Sequence, residues 1–262
     1  EEPEELRDRG TQGLRANSRG PLLATSAVRM IPLRHTMERH GPPLVTRSLV
    51  LANMVVFTAQ LLMGPATERI IQTFGFIPAR LLDPARFGYE PWEVAVTLVT
   101  SLFLHGGVVH LAGNLIYLWV FGDAVEEALG HARFFLFYVA CGAVGSLAHT
   151  VVFTDSTIPS IGASGSIAGV LGAFYVLRPR AHIVTLFPLV VYWAMAEIPA
   201  AVFLPVWFAM QFFNGFLALR AASAAQVAGV AWWAHVGGFV IGTLIGLVVW
   251  RLAVARRASL AK

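Results

Sequence analysis

A serine, Ser164, and a distant histidine, His235, stand inside apolar runs of this chain. Ser164 lies in Ile161-Gly162-Ala163-Ser164-Gly165-Ser166-Ile167-Ala168-Gly169, among residues small enough for another backbone to approach. His235 lies in Ala234-His235-Val236-Gly237-Gly238. A hydroxyl beside an imidazole is the minimal pair for a base-activated nucleophile. His110 and Asn114 are spaced i, i+4 and share one helical face. An imidazole and an amide are donors suited to a developing oxyanion, together with the backbone N–H of Ser164. His105, five residues before His110, falls off that face and is expected in the loop leading into the helix. Polar groups inside a bilayer are costly unless paired, so intramembrane ones are functional candidates.

Each of these signals has a plainer reading. Ser and Gly are ordinary packing residues of membrane helices. A lone histidine near a helix end is commonly interfacial, and His131, His149 and His182 are read that way. His105 and His110 lack one-face spacing and have no carboxylate near them, so no metal site is expected. The soluble-hydrolase elbow Gly-x-Ser-x-Gly is not matched, because Ser166 stands two residues after Ser164. Trp193, Trp207, Trp232 and Trp233 suit span-end belts and packing. Glu126 is expected in a short inner loop, Gly122–Arg133, as a solvated or helix-capping carboxylate.

The elements that position these groups must be membrane spans. Of 262 residues, 56% are hydrophobic and only 13% charged, where a soluble domain carries about 25% charge. The net charge of +4 invites a nucleic-acid partner. That reading fails because the basic residues sit in the tail and short loops, as membrane topology requires. The lone Cys141 excludes an internal disulfide. Charge-free windows run over Ser48–Thr67, Val94–Gly122, Phe134–Thr154, Ser156–Leu177, Ala181–Ala196, Ile198–Leu219 and Ala221–Trp250. Six reach the roughly 20 residues a bilayer core needs. The window Ala181–Ala196 is short, contains Pro188, and is read as interfacial or partly re-entrant.

The expected fold is an all-α, six-span bundle with both ends inside and a long interfacial loop, Ala66–Glu93, between spans one and two. In that orientation the inner side carries eight Arg up to Arg47, then Arg133, Arg178, Arg180, Arg251, Arg256, Arg257 and Lys262. The outer side carries Arg69, Arg80, Arg86 and Arg220, which satisfies the positive-inside rule. Six spans place His110, Asn114, Ser164 and His235 at similar depth on one side, whereas seven would separate Ser164 from His235. Gly165-x-x-x-Gly169 and Gly238-x-x-x-Gly242 are small-residue faces, and their meeting would bring Ser164 and His235 together. Residues 1–46 read as a flexible cytoplasmic tail, 47–252 as the membrane domain and 253–262 as a short basic tail.

His105-Gly106-Gly107-Val108-Val109-His110-Leu111-Ala112-Gly113-Asn114, then Gly162-Ala163-Ser164-Gly165, then Ala234-His235-Val236-Gly237-Gly238-Phe239-Val240-Ile241-Gly242 resembles the rhomboid family of intramembrane serine proteases. Thr100-Ser101-Leu102-Phe103-Leu104-His105 and Gly122–Gly130 add to the likeness, which runs from about Met30 to Trp250. Met30-Ile31-Pro32-Leu33-Arg34 resembles the usual opening of bacterial members, so residues 1–29 read as an extension. The resemblance implies Ser164 as nucleophile, His235 as general base, and His110 and Asn114 as oxyanion donors. It implies single-span membrane proteins as substrates within a bacterial inner membrane, with no cofactor. The dyad lacks an orienting aspartate, so neighbours must set the imidazole tautomer. Two positions depart from the family pattern: Thr97 replaces a frequent arginine, and Ala168 replaces an aromatic that packs on the histidine in some members. Trp232 is the expected brace instead, and span five, with Gln211 and Asn214, the expected lateral gate. Retained cleavage after cross-linking spans two and five would contradict that gate. The alternative function is a non-proteolytic rhomboid-like binder of membrane clients.

Overall fold

The computed structural model describes residues 30–38, 40–188, 193–220 and 230–260. Nine helices are present among them: α1 (Leu44–Leu62), α2 (Thr67–Phe74), α3 (Pro78–Leu82), α4 (Pro91–Thr100), α5 (Val108–Leu129), α6 (His131–Val152), α7 (Ser164–Leu177), α8 (Ala200–Arg220) and α9 (Trp232–Leu260). Three strands, β1 (Ile31–His35), β2 (His182–Pro188) and β3 (Trp193–Pro199), form one antiparallel sheet in the order β1-β2-β3.

Helices α1, α5, α6, α8 and α9 are long and apolar enough to cross a membrane, which makes this a multi-pass membrane protein. The sixth apolar helix, α7, has only 14 residues. At 1.5 Å per residue it is about 21 Å long, against a hydrocarbon core of about 30 Å. Its window loses its first third because the chain from Ser156 to Ala163 is not helical. That stretch finds backbone partners in the connection after α1. Phe76 and Ser160 exchange both backbone hydrogen bonds, at 3.3 and 2.7 Å, and the Gly162 N–H donates to the Ser101 carbonyl at 2.9 Å. Such pairing is what allows irregular backbone at the depth of a membrane.

The connection between α1 and α5 is itself built from short elements. Pro91 at the first turn and a reciprocal Glu90/Glu93 capping box start α4. Arg80 donates to the Gln72 carbonyl at 2.5 Å and lies 4.5 Å over the Tyr89 ring. The Thr100 hydroxyl ties α4 to the Phe74 carbonyl of α2 at 2.7 Å. Thr97 is buried and its hydroxyl donates within its own helix, to Val94 O at 2.6 Å. The window expected as one span from Val94 to Gly122 is therefore broken. A 3-10 turn follows α4, and Gly106 and Gly107 lead into α5.

The structure departs from four further expectations. The stretch 122–133 is helix rather than loop, because α5 runs to Leu129 and α6 begins at His131. Gly130 makes the turn at φ +79°, which favours glycine. Glu126 accepts from the Val45 and Thr46 backbone N–H groups, both at 2.8 Å, from the Thr46 hydroxyl at 2.7 Å, and faces His131 Nδ1 at 2.6 Å. It thereby satisfies the orphan donors in the first turn of α1 from across the bundle.

Within the segment Ala181–Ala196, read as interfacial or partly re-entrant, the described residues from His182 on are strand: they belong to β2 and β3, paired from His182↔Pro199 to Pro188↔Trp193, so the fold is mostly helical rather than all-α. Buried Ile183 and Thr185 alternate with more exposed neighbours, a period of two. Of the expected flexible tail 1–46, the described residues 30–38 and 40–46 are placed by β1, by the start of α1 and by side chains. Tyr117 donates to the Met30 carbonyl at 3.0 Å, and His35 Nε2 lies 2.9 Å from the buried Asp123 carboxylate. At the other end α9 continues as helix to Leu260, through most of the expected tail 253–262. The expected extension 1–29 lies outside the described residues.

Helix α7 occupies the centre of the bundle, and every residue from Gly165 to Phe174 is buried. Its partner is α9. A Cβ on Gly238 would overlap the Gly165 carbonyl, one on Gly242 the Gly169 carbonyl, and one on Gly172 the Phe239 carbonyl. The two glycine faces meet backbone to backbone, as their spacing requires. Aromatic packing fills the other flank of α7. Phe121 of α5 meets Phe174 edge-on at 5.0 Å and Phe203 of α8 at 6.2 Å.

Candidate active site

Ser164 is the first residue of α7, and His235 lies in the first turn of α9. The glycine contacts between these helices bring the two side chains into one hydrogen bond: the Ser164 hydroxyl lies 2.7 Å from His235 Nε2. His235 is buried, and its other ring nitrogen, Nδ1, lies 2.8 Å from Gln211 Oε1 on α8. An Nδ1–H donating to that carbonyl leaves the Nε2 lone pair to accept from the serine. Two indoles flank the ring: Trp232 edge-on at 6.0 Å, as expected, and Trp207 tilted at 6.1 Å.

The starting position of α7 matters chemically. The first N–H groups of a helix lack intrahelical acceptors, and the helix dipole places positive potential there. Gly162, two residues before Ser164, adopts φ +119°. A Cβ there would come within 2.7 Å of His110 Nε2 and 3.5 Å of Asn114 Nδ2. The turn into α7 is thus pressed against the face of α5 that carries both residues.

Asn114 is buried and donates from Nδ2 to His105 Nε2 at 2.9 Å. His105 sits before α5, as expected, and its ring is held by the Phe103 carbonyl at 3.2 Å from Nδ1. Its backbone exchanges two 3.1 Å hydrogen bonds with the Gln60 amide on α1. The His105 and His110 rings meet edge-on with centroids 5.2 Å apart. The structure therefore assembles all four candidate residues and adds Gln211, His105 and Gln60, whose contacts sequence reasoning missed. Amides inside apolar helices were the available signal, but the partner of each depends on which helices touch.

These groups line a cleft of about 270 Å³, bounded by Val109, His110, Asn114, Ser164, Trp207, Gln211 and His235 among others. A second cavity of about 630 Å³ shares His110, Ile161, Val230 and Ala231 with it and extends under the 153–161 loop. Among the described residues, neither lining places a carboxylate beside the imidazole; Asp155 lines the second cavity. A hydroxyl paired with a buried imidazole, beside the first turn of a helix and an oriented amide, is an arrangement suited to acyl transfer.

A helical membrane bundle with a serine and a histidine hydrogen-bonded across two helices is in keeping with the chain's relatives. Residues 91–252 match the family model described as Rhomboid domain, and the chain belongs to the rhomboid family. It is 50% identical over 136 residues to Rhomboid protease GluP of Bacillus subtilis, a match covering 52% of this chain and 25% of that protein. It is 33% identical over 161 residues to Rhomboid protein 1, mitochondrial, of Saccharomyces cerevisiae, covering 58% and 41% respectively. RHOMBOID-like protein 5 of Arabidopsis thaliana is 29% identical over 191 residues, covering 72% and 52%. The chain thus spans between a quarter and about half of the length of these relatives.

Proposed function

We propose that this chain is an intramembrane serine endopeptidase that cleaves transmembrane segments of single-span membrane proteins. The observation that carries the reading is the 2.7 Å contact between the Ser164 hydroxyl and His235 Nε2 at one wall of the cleft. In this mechanism His235 takes the hydroxyl proton as Ser164 Oγ attacks the scissile carbonyl carbon. The tetrahedral oxyanion is met by the Ser164 N–H at the start of α7, by Asn114 and by His110. The imidazolium then protonates the leaving amine, and the C–N bond breaks to leave an acyl-serine. Water, deprotonated by His235, attacks that ester and releases the new carboxylate with Ser164 restored.

The membrane setting proposed is six spans, with the short helix α7 as the fourth crossing, between α6 and the sheet, and with both chain ends inside. The sheet then lies on the inner side and the cleft opens to water at the outer side, in a bacterial inner membrane. The connection holding α2, α3 and α4 lies at the outer interface, and residues 47–252 form the membrane domain.

The test is cleavage of a model single-span substrate by the purified chain, alongside labelling by a fluorophosphonate. Ser164→Ala and His235→Ala should each lower cleavage by roughly 10³-fold or more, and Ser164→Ala should abolish labelling. Cleavage persisting in either variant sinks the dyad. Substrate binding without cleavage by the unaltered chain would favour the client-binder alternative.

A further inference from the structure

We propose that Gln211 is a positioning residue for His235, so that the site is a serine–histidine–glutamine relay drawn from three separate helices. The inference rests on the Ser164–His235 reading and extends it to a residue on α8.

The imidazole is held at both nitrogens. Nε2 faces Ser164 Oγ on α7 at 2.7 Å, and Nδ1 faces Gln211 Oε1 on α8 at 2.8 Å. Gln211 is itself buried, although neighbouring Phe212 and Phe213 on the same helix are exposed. Its amide therefore turns inward from a helix whose other face is open to lipid. A neutral imidazole carries one proton, and only the tautomer protonated at Nδ1 can accept from the serine. A carbonyl acceptor at Nδ1 selects that tautomer, and its dipole favours the imidazolium that forms during attack.

The choice of an amide has a physical reason. A buried carboxylate would stabilise the imidazolium more strongly but costs several kcal/mol to desolvate in a bilayer. An amide supplies the acceptor without a net charge. The indoles of Trp207 and Trp232 limit ring tilt, but they offer no acceptor to Nδ1, so packing by itself leaves the tautomer unselected.

The experiment is steady-state cleavage as a function of pH by the full chain in proteoliposomes, with Gln211→Leu and Gln211→Glu. Gln211→Leu keeps bulk and removes the acceptor. It should lower kcat by about 10²-fold with KM changed less than about threefold. Gln211→Glu keeps the acceptor and adds a negative charge beside the ring, which raises the histidine's affinity for a proton. The base must be neutral to act, so the acid limb of the kcat profile should move to higher pH by about one unit or more. A purely structural glutamine would leave that limb in place. Wild-type kcat in a folded Gln211→Leu, or an unmoved acid limb in an active Gln211→Glu, overturns the proposal. If Gln211→Leu does not fold, the Gln211→Glu profile decides, read equally from the pH dependence of fluorophosphonate labelling at Ser164. Cleavage by Ser164→Ala would refute the dyad itself. Inactive Ser164→Ala with unaltered Gln211 variants refutes only the role given to Gln211.

Discussion

Asn114 has no freedom to choose where its amide points. One N–H is taken by His105 Nε2 at 2.9 Å, and His105 is fixed in turn by Phe103 and by the Gln60 amide. In the proposed mechanism the second Asn114 N–H is the one available to an oxyanion, and His105 sets its direction without touching substrate. Removing one oxyanion donor typically costs about 10²–10³ in kcat. Asn114→Ala should show that loss, and His105→Ala a substantial part of it. Since both substitutions disable one donor, the double variant should be little worse than Asn114→Ala by itself. Losses that multiply in this double-mutant cycle would mean that His105 and Asn114 act independently. The same reasoning explains Gly162. Its φ of +119° and the ring of His110 against its α-carbon both exclude a side chain, so the residue next to the site is small for two separate reasons.

At the scale of elements, the pair α7 and α9 decides whether the site exists. Ser164 and His235 are 71 residues apart in the chain and meet only because glycines remove the side chains between their helices. Gly242 lies two turns further into the membrane than His235, far from the cleft, yet a Cβ there would strike the Gly169 carbonyl. Gly242→Val should therefore destabilise the bundle by about 2–3 kcal/mol through overpacking. It should also lower cleavage without altering any residue of the site. Unfolding by denaturant in detergent micelles, together with the cleavage rate, checks both. Unchanged stability would mean that the helices can part at that level. Helix α1 illustrates a different dependence. Its first turn has no side-chain cap of its own and relies on Glu126, brought from the end of α5.

At the scale of the whole molecule, orientation is the open consequence. The sheet ties strand β1 to strands β2 and β3, which lie between α7 and α8 in the chain, so β1 and the far end of α7 share one side of the bundle. Six crossings place His40 and Ser259 on the same face of the membrane; five would place them on opposite faces. Single cysteines introduced at these positions should react with a membrane-impermeant maleimide from the same side of sealed vesicles, the inner one. Cys141 is buried and should not add background. Reaction from opposite sides would remove α7 as a crossing and the common depth of the proposed site with it.

Composition and hydropathy determined that this chain lives in a membrane, because so few charges leave no other solvent for its helices. Spacing determined which faces are small and which carry polar groups: His110 with Asn114, Gly165 with Gly169, Gly238 with Gly242. Local sequence also marked Ser164 and His235, and family likeness supplied their expected roles. Only the tertiary structure decided the rest. Pairing of Phe76 with Ser160 shortened the fourth window, so that α7 begins at Ser164 itself. Strand pairing across some 150 residues put strands into part of a supposed tail and part of a segment read as interfacial or partly re-entrant. The partners of Gln211, His105 and Glu126 were invisible for the same reason. A periodic pattern records which side of a helix is apolar or polar, but not which residue of another helix will stand opposite, and hydrogen bonds in a bilayer are made between such residues.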